Sequence, residues 1–143
     1  MWYNHCIPRR IPSQTSSPKP QTSAMQDHRK LKAFQLADAM VTDVYRATTS
    51  FPTSEQFGLT SQLRRAAVAV AANIVEGCGR EGLKEYLNFL NIAFGSLREV
   101  GYYIELAGRL DYLAEPDMKS LLLQYDECAK VLQGLMASLR RPS

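Results

Sequence analysis

From about Asp27 onward, apolar residues recur at steps of three and four along almost the whole chain. This spacing is that of α-helices with one buried face, and no segment shows the alternation of a β-strand. Four amphipathic helices with short links pack most simply as an antiparallel up-down four-helix bundle, so the expected fold class is all-α. The predicted helices span residues 27–50, 60–76, 83–110 and 116–139.

The predicted links follow from proline and glycine. Phe51 precedes a proline and therefore leaves the helical region, which ends the first helix. We expect Gly77 and Gly79 to end the second helix, because glycine accepts the positive φ angles found at helix ends. Pro116 is suited to the first turn of the fourth helix.

Composition sets the broad class. A chain of 143 residues with 45% hydrophobic and 22% charged residues is typical of a single folded domain. The three cysteines are odd in number and far apart, and there are only two histidines, so we expect no disulfide framework, no metal site and no cofactor. Because no apolar run is long enough to span a membrane, the expected location is the reducing cytoplasm.

The first 26 residues differ from the rest. They contain four of the seven prolines and three basic residues without any acid, while residues 27–143 have equal numbers of acidic and basic residues. We therefore expect a disordered basic leader at 1–26 and a bundle domain at 27–143. The leader is either a nucleic-acid or targeting arm, or a stretch that precedes a true start at Met25.

The second helix has more apolar surface than one neighbour can cover. Val68, Ala71 and Val75 form a stripe about 110° away from the stripe that faces the bundle. Phe89 and Ile92 fall outside the core stripe of the third helix in the same way. A second apolar face favours an interface with another subunit. The alternative is that the bundle itself wraps these helices more fully.

Three blocks of sequence stand at fixed spacing: FPTSEQFGLTSQLRRAA at 51–67, ANIVEGCGR at 72–80 followed by KEY at 84–86, and IAFGSLRE at 92–99. Together they resemble the bacterial four-helix-bundle proteins encoded in intervening sequences of 23S ribosomal RNA genes. The resemblance implies a homopentameric ring without established enzymatic activity. A related group, the accessory variability determinant proteins of diversity-generating retroelements, forms similar pentamers that associate with nucleic acid and a reverse transcriptase.

The sequence departs from this family in two places. Gly82 stands where the family has a serine or threonine that caps the third helix, and the proline-rich leader is additional. The loss of a capping side chain weakens a helix start by about 1 kcal/mol, which leaves the predicted fold intact.

Few residues have the spacing of a catalytic site. Cys78 beside Arg80 is either a reactive thiol or an incidental cysteine, and the latter is favoured. Glu76 and Glu85 are either an acid pair or salt-bridge partners of nearby cations, and again the structural interpretation is favoured. Asn73, polar in an apolar helix, is expected to bond a backbone group. We therefore expect no catalytic residue, with a hydrolase or thiol enzyme as the remote alternative.

Nucleic-acid binding has the most physical support. Lys84, Asn91 and Arg98 are seven residues apart and line one edge of the third helix, where they can meet phosphates. Arg109 lies close to the same line. Three further arginines are predicted to lie near one end of the bundle: Arg64, Arg65 and Arg80. The competing interpretation is a solvated face that forms salt bridges. The predicted function is a noncatalytic homo-oligomer that binds nucleic acid or an enzyme such as a reverse transcriptase, or alternatively another protein.

Overall fold

The structure, a computed structural model, describes residues 26–142. Within this range there are four long helices and no strand, so the all-α prediction is confirmed. Each long helix packs against two neighbours in the cyclic order first, second, third, fourth, as in a four-helix bundle. The long helices are α1 (Lys32–Thr48), α2 (Leu59–Cys78), α3 (Leu83–Arg109) and α4 (Glu115–Arg140), and short 3₁₀ turns at His28–Lys30 and Thr53–Glu55 precede α1 and α2.

The core lies between the four helices and is made of one face from each. Phe34 of α1, Leu63 of α2, Leu97 of α3 and Leu132 of α4 are all at most 3% exposed. Apolar side chains at steps of three, four and seven bring these faces together, and the removal of this surface from water supplies most of the driving force for folding. No helix in the described range is long and apolar enough to cross a membrane.

The chain enters the bundle through a 3₁₀ turn, which the periodicity alone did not predict. The Asp27 carboxylate accepts the backbone N–H of Arg29 at 3.1 Å and caps this turn. Leu31 is extended, with φ −81° and ψ 128°, so α1 begins only at Lys32. Gln26, assigned by sequence to the leader, already bonds the bundle through its backbone N–H to the Cys78 carbonyl at 3.2 Å. The rest of the predicted leader lies outside the described residues.

Gly79 ends α2 as predicted, but the expectation of positive φ angles at Gly77 and Gly79 is wrong. Gly77 lies inside the helix, Gly79 has a φ of −84°, and no glycine between residues 26 and 142 has a positive φ. Gly77 instead permits a close approach of α3, since a Cβ there would lie 3.0 Å from Cδ1 of Tyr86 and 3.2 Å from Cβ of Phe89. Its small size, rather than its backbone freedom, is what this position uses.

The second apolar stripe of α2 is covered largely by α1. Arg64 contacts α1, and Ala71 and Val75 lie seven and eleven residues further along α2, on the same side of the helix. Both are 3% exposed within the single chain, so they have almost no surface left for another subunit. The apolar arc of α2 is wide because α1 and α3 flank it on both sides. Of the predicted interface residues on this helix, only Val68 keeps partial exposure.

On α3 the two predicted interface residues differ. Phe89 packs against the Gly77 region of α2 and is partly buried, whereas the Ile92 side chain is 45% exposed. Gly82 precedes α3 without a capping side chain, as the sequence indicates.

Candidate nucleic-acid interface

The five predicted basic residues do not form one patch. From Arg64 the helix continues for fourteen residues to Cys78, about 21 Å along the axis of α2, and Arg80 follows two residues after its end. Arg64 and Arg65 therefore lie at the end of the bundle where α2 begins, and Arg80 lies at the opposite end. The expectation that these three arginines cluster at one end is wrong, because Arg64 and Arg65 lie near the start of α2 and Arg80 lies just beyond its end.

Arg64 is engaged within the fold. Its Nε donates to Oγ1 of Thr48 at 2.7 Å, and its Nη2 donates to the backbone carbonyl of Tyr45 at 3.3 Å. The guanidinium carbon also lies 4.5 Å from the centre of the Tyr45 ring. These contacts satisfy a carbonyl in the last turn of α1 and tie α1 to α2. Arg64 therefore has a structural role and little freedom to meet a phosphate.

Arg80 is also committed to internal contacts. It forms an ion pair with Glu76, one turn earlier, and its guanidinium carbon lies 4.9 Å from the centre of the Phe89 ring. This confirms that Glu76 is a salt-bridge partner at the helix junction. Arg65, in contrast, is exposed and forms no ion pair or hydrogen bond with any other described residue.

Lys84 and Arg98 lie along the edge of α3 that borders α4. Lys84 is exposed in the first turn. Two turns later Asn91 accepts a hydrogen bond at 3.0 Å from Nη2 of Arg140, which adds a cation from α4 to this edge. Two further turns on, Nη1 of Arg98 donates to the hydroxyl of Tyr125 at 3.3 Å. The predicted edge thus exists, and α4 extends it with a residue that spacing along α3 alone does not indicate.

A shallow groove runs between α3 and α4 at the level of Arg98, and we call it the α3/α4 groove. Its floor is made of Gly101, Leu122 and Tyr125, and its exposed rim of the following residues: Arg98, Tyr102, Glu105 and Asp126. Gly101 allows the two helices to approach closely, because a Cβ there would lie 2.8 Å from the Tyr125 ring. The groove therefore joins an apolar floor to a rim that carries charges of both signs.

Tyr102 and Arg109 continue the groove toward the end of α3. The Tyr102 side chain is 54% exposed, and the guanidinium carbon of Arg109 lies 6.0 Å from the centre of its ring. Sequence reasoning placed Arg109 close to the line of Lys84 and Arg98 but missed Tyr102. The available signal was its position eighteen residues after Lys84, which is five full helical turns and returns to the same edge.

The residues considered for catalysis are not assembled into a site. Cys78 is fully buried inside α2. Glu76 is paired with Arg80, and Glu85 is exposed in the first turn of α3. Asn73 donates from Nδ2 to the Ala69 carbonyl at 2.8 Å, as predicted for a polar residue in an apolar helix. No cluster of three or more potential metal ligands occurs within residues 26–142.

Two other buried groups, the Tyr86 hydroxyl and the Cys128 thiol, have raised pKa values. Burial raises the pKa of the Tyr86 hydroxyl, whose oxygen accepts a hydrogen bond from Nε2 of Gln26 at 2.9 Å. Burial also raises the pKa of the Cys128 thiol to about 12, with a smaller contribution from the Glu127 carboxylate. The Cys128 thiol therefore stays protonated at neutral pH, which makes it an inert core side chain.

These features define an all-helical bundle with a mixed-charge groove between its last two helices. The family model of the 23S rRNA-intervening sequence proteins matches residues 29–134, and the chain belongs to this family. No curated protein matches the sequence.

A solved structure with the same fold is the crystal structure of a protein of unknown function from the S23 ribosomal protein family of Bacteroides thetaiotaomicron. It matches with a TM-score of 0.66 and 21% sequence identity, covering 73% of this chain and 97% of that one. At this level of identity the likeness shows the fold alone.

Proposed function

We propose that this protein is a noncatalytic, homo-oligomeric binding module whose partner is nucleic acid, bound along the edge where α3 meets α4. The observation that carries the proposal is the row of cations on that edge. Lys84, the Arg140–Asn91 pair, Arg98 and Arg109 follow one another over 25 residues of α3, about 37 Å. The helix fixes the spacing of these charges, so little conformational entropy is lost when a polyanion binds.

The electrostatics favour a modest, salt-sensitive affinity. Acidic and basic residues are equal in number over 27–143, so the domain as a whole has no strong attracting field. Binding would depend on the local row of cations, and each neutralised phosphate contributes a slope of about −0.7 to −0.9 in a plot of log affinity against log salt. Two to four contacts predict a total slope of about −1.4 to −3.6. In a ring of identical subunits, one strand that meets several copies of the row gains avidity.

The test is fluorescence anisotropy with labelled 20-nucleotide RNA and DNA at two salt concentrations. Lys84→Glu and Arg98→Glu are expected to lower affinity at least tenfold. Arg65→Glu is the matched control, because Arg65 is also an exposed arginine but lies on α2, away from the edge where α3 meets α4. Affinity unchanged by Lys84→Glu and Arg98→Glu, or reduced equally by Arg65→Glu, would show that the row is not the binding site.

The homopentameric ring expected from the family resemblance is part of this proposal. Its support is apolar surface that the single chain leaves exposed, namely Ile92 at 45%, Leu123 at 70% and the partly exposed Val68. Multi-angle light scattering of the full chain is expected to give the mass of five subunits. Ile92→Glu and Val68→Glu are expected to reduce that mass while circular dichroism stays helical. A monomeric wild type would refute the assembly.

A second candidate function is binding of a protein, including a nucleic-acid-associated enzyme such as a reverse transcriptase. One observation favours it: Phe57, in the loop before α2, has 91% of its side chain exposed. An apolar aromatic ring in water is a typical anchor for an interface. If Phe57→Ser leaves both the assembly and nucleic-acid binding unchanged, the ring serves neither, and a protein partner becomes the preferred interpretation.

We also place the protein in the cytoplasm. The support is that Cys78 and Cys128 are buried and form no disulfide within residues 26–142, which is typical of proteins in a reducing compartment.

A further inference from the structure

We propose that the α3/α4 groove selects single-stranded over duplex nucleic acid, with Tyr102 as the side chain on which an unpaired base stacks. This inference rests on the proposed function and specifies the class of nucleic acid. Phosphates are common to single strands and duplexes, so the row of cations alone does not distinguish them. Selection requires a group that reaches a base directly, and the groove contains one.

Tyr102 is one of the exposed large hydrophobic side chains of the described residues. It is 54% exposed, although it lies within the long helix α3. The adjacent Tyr103 ring is 5.7 Å away and tilted by 57°, so it does not stack flat on Tyr102. Tyr103 instead directs its hydroxyl toward α2, 3.5 Å from Oε1 of Gln62. Tyr102 therefore presents an aromatic surface that no parallel ring of the described bundle covers.

Arg109 adds a second feature typical of single-strand sites. Its guanidinium carbon lies 6.0 Å from the centre of the Tyr102 ring, at the limit of a cation–π contact. The charge can thus meet a phosphate while the neighbouring ring meets the attached base. Aromatic rings interleaved with cations along a groove are the usual arrangement for binding single strands without sequence preference.

The carboxylates at the rim also indicate which part of the strand faces the groove. Glu105 and Asp126 line the groove together with Tyr102, and their negative charges repel phosphates from this part of it. They accept hydrogen bonds from the exocyclic amino groups of bases, which carry no negative charge. The centre of the groove therefore suits bases, while Lys84 and Arg140 toward one end and Arg109 toward the other suit the backbone. A duplex keeps its bases stacked inside and exposes phosphates to these carboxylates.

The floor of the groove fits this orientation. The hydroxyl of Tyr125 accepts the hydrogen bond from Arg98, and its ring packs closely against Gly101. These two contacts fix the position of the Tyr125 side chain, which forms a wall of the groove. With Leu122 it provides an apolar surface beside Tyr102.

The experiment compares one labelled 20-nucleotide strand of mixed sequence, alone and annealed to its complement, by anisotropy with the full-length protein. The wild type is expected to bind the single strand more tightly. Tyr102→Leu keeps an apolar side chain but removes the ring, and is expected to lower single-strand affinity by about five- to a hundredfold while duplex affinity stays within twofold. Tyr102→Phe keeps the ring and is expected to retain single-strand binding.

The outcomes separate this inference from the proposed function. If the wild type binds neither strand form, the proposed function fails and the inference fails with it. If the wild type binds both forms equally, or Tyr102→Leu weakens both equally, the groove still binds nucleic acid but the selection of single strands is refuted. Because Tyr102 is exposed, Tyr102→Leu is expected to keep the wild-type urea midpoint of unfolding. Circular dichroism measures this midpoint.

Discussion

The Tyr112 hydroxyl donates a 2.9 Å hydrogen bond to Oε2 of Glu55, joining the α3–α4 link to the 3₁₀ turn before α2. The other carboxylate oxygen of Glu55 accepts the backbone N–H of Leu59 at 2.9 Å. Gly58, at the N-cap position of α2, has no side chain to provide this bond. A Cβ at Gly58 would lie only 2.5 Å from Oε1 of Glu55, so glycine leaves room for the carboxylate that caps the helix.

The first prediction concerns acid stability. The Leu59 N–H and then the Tyr112 hydroxyl lower the pKa of Glu55 below its ordinary value of 4.5. A lowered folded-state pKa stabilises the fold above the ordinary value, and this contribution is lost as pH falls through the folded pKa. Glu55→Gln is expected to be less stable than the wild type at pH 7, with the difference shrinking below pH 4.5. Urea unfolding followed by circular dichroism from pH 3 to 7 measures it.

Tyr112→Phe is the control for the same contact. The hydrogen bond to the Glu55 carboxylate raises the pKa of Tyr112 above its ordinary value of 10.0, and partial burial makes a smaller contribution. A raised folded-state pKa stabilises the fold fully below the ordinary value, and the contribution is lost as pH rises through the folded pKa. Tyr112→Phe should therefore flatten the alkaline side of the stability profile and keep most of the acid dependence. Identical acid profiles for Glu55→Gln and the wild type would contradict the role given to Glu55.

The second prediction concerns the end of α3. Asp111 has a φ of 61°, in the left-handed region, and the Tyr112 N–H reaches back to the Ala107 carbonyl at 2.9 Å. This is a Schellman motif, in which glycine is the preferred residue at the left-handed position. Asp111→Gly is expected to stabilise the protein by about 0.5–1 kcal/mol, and Asp111→Ala to destabilise it by a similar amount. Urea midpoints that place alanine at or above glycine would contradict this.

Helix number and approximate bounds could be predicted from sequence because they depend on periodicity within each segment. The structural role of Gly77 could not be predicted, because glycine occurs both in turns and at close helix contacts. Only the position of Tyr86 in the folded structure shows that Gly77 lies at a close helix contact. The left-handed residue after α3 was missed for a related reason. Asp111 is one of several polar residues near that link, and its backbone conformation depends on how Tyr112 packs against Phe51 and Glu55.

The candidate site shows the same division. Lys84, Asn91 and Arg98 share an edge because their spacing lies within one helix, so sequence could place them. Arg140 and Tyr125 join that edge only through the register of α4 against α3, which no pattern within α3 encodes. Ala71 and Val75 were predicted to face another subunit, but they are buried within the single chain, and the helix that covers them cannot be read from the pattern of α2.

The third prediction distinguishes two adjacent arginines. Arg64 bonds Thr48 and Tyr45, whereas Arg65 has no such contact in the described bundle. Arg64→Ala is expected to lower the free energy of unfolding by about 1–2 kcal/mol. It removes the hydrogen bond to the buried Thr48 hydroxyl and the cation–π contact with the Tyr45 ring. Arg65→Ala is the matched control and is expected to stay within about 0.5 kcal/mol. Equal urea midpoints for the two variants would show that the Arg64 contacts contribute nothing.

The last prediction uses two glycines of α3 that differ only in what surrounds them. Nothing lies within 4 Å of a Cβ built at Gly95, whereas a Cβ at Gly101 would lie 2.8 Å from the Tyr125 ring. Gly95→Ala is expected to stabilise the protein by about 0.5–1 kcal/mol through helix propensity. Gly101→Ala gains the same propensity but forces Tyr125 and α4 outward, so a net loss of about 1–3 kcal/mol is expected. If Gly101→Ala is as stable as Gly95→Ala in urea, α4 moves freely and Tyr125 is not the fixed wall of the groove.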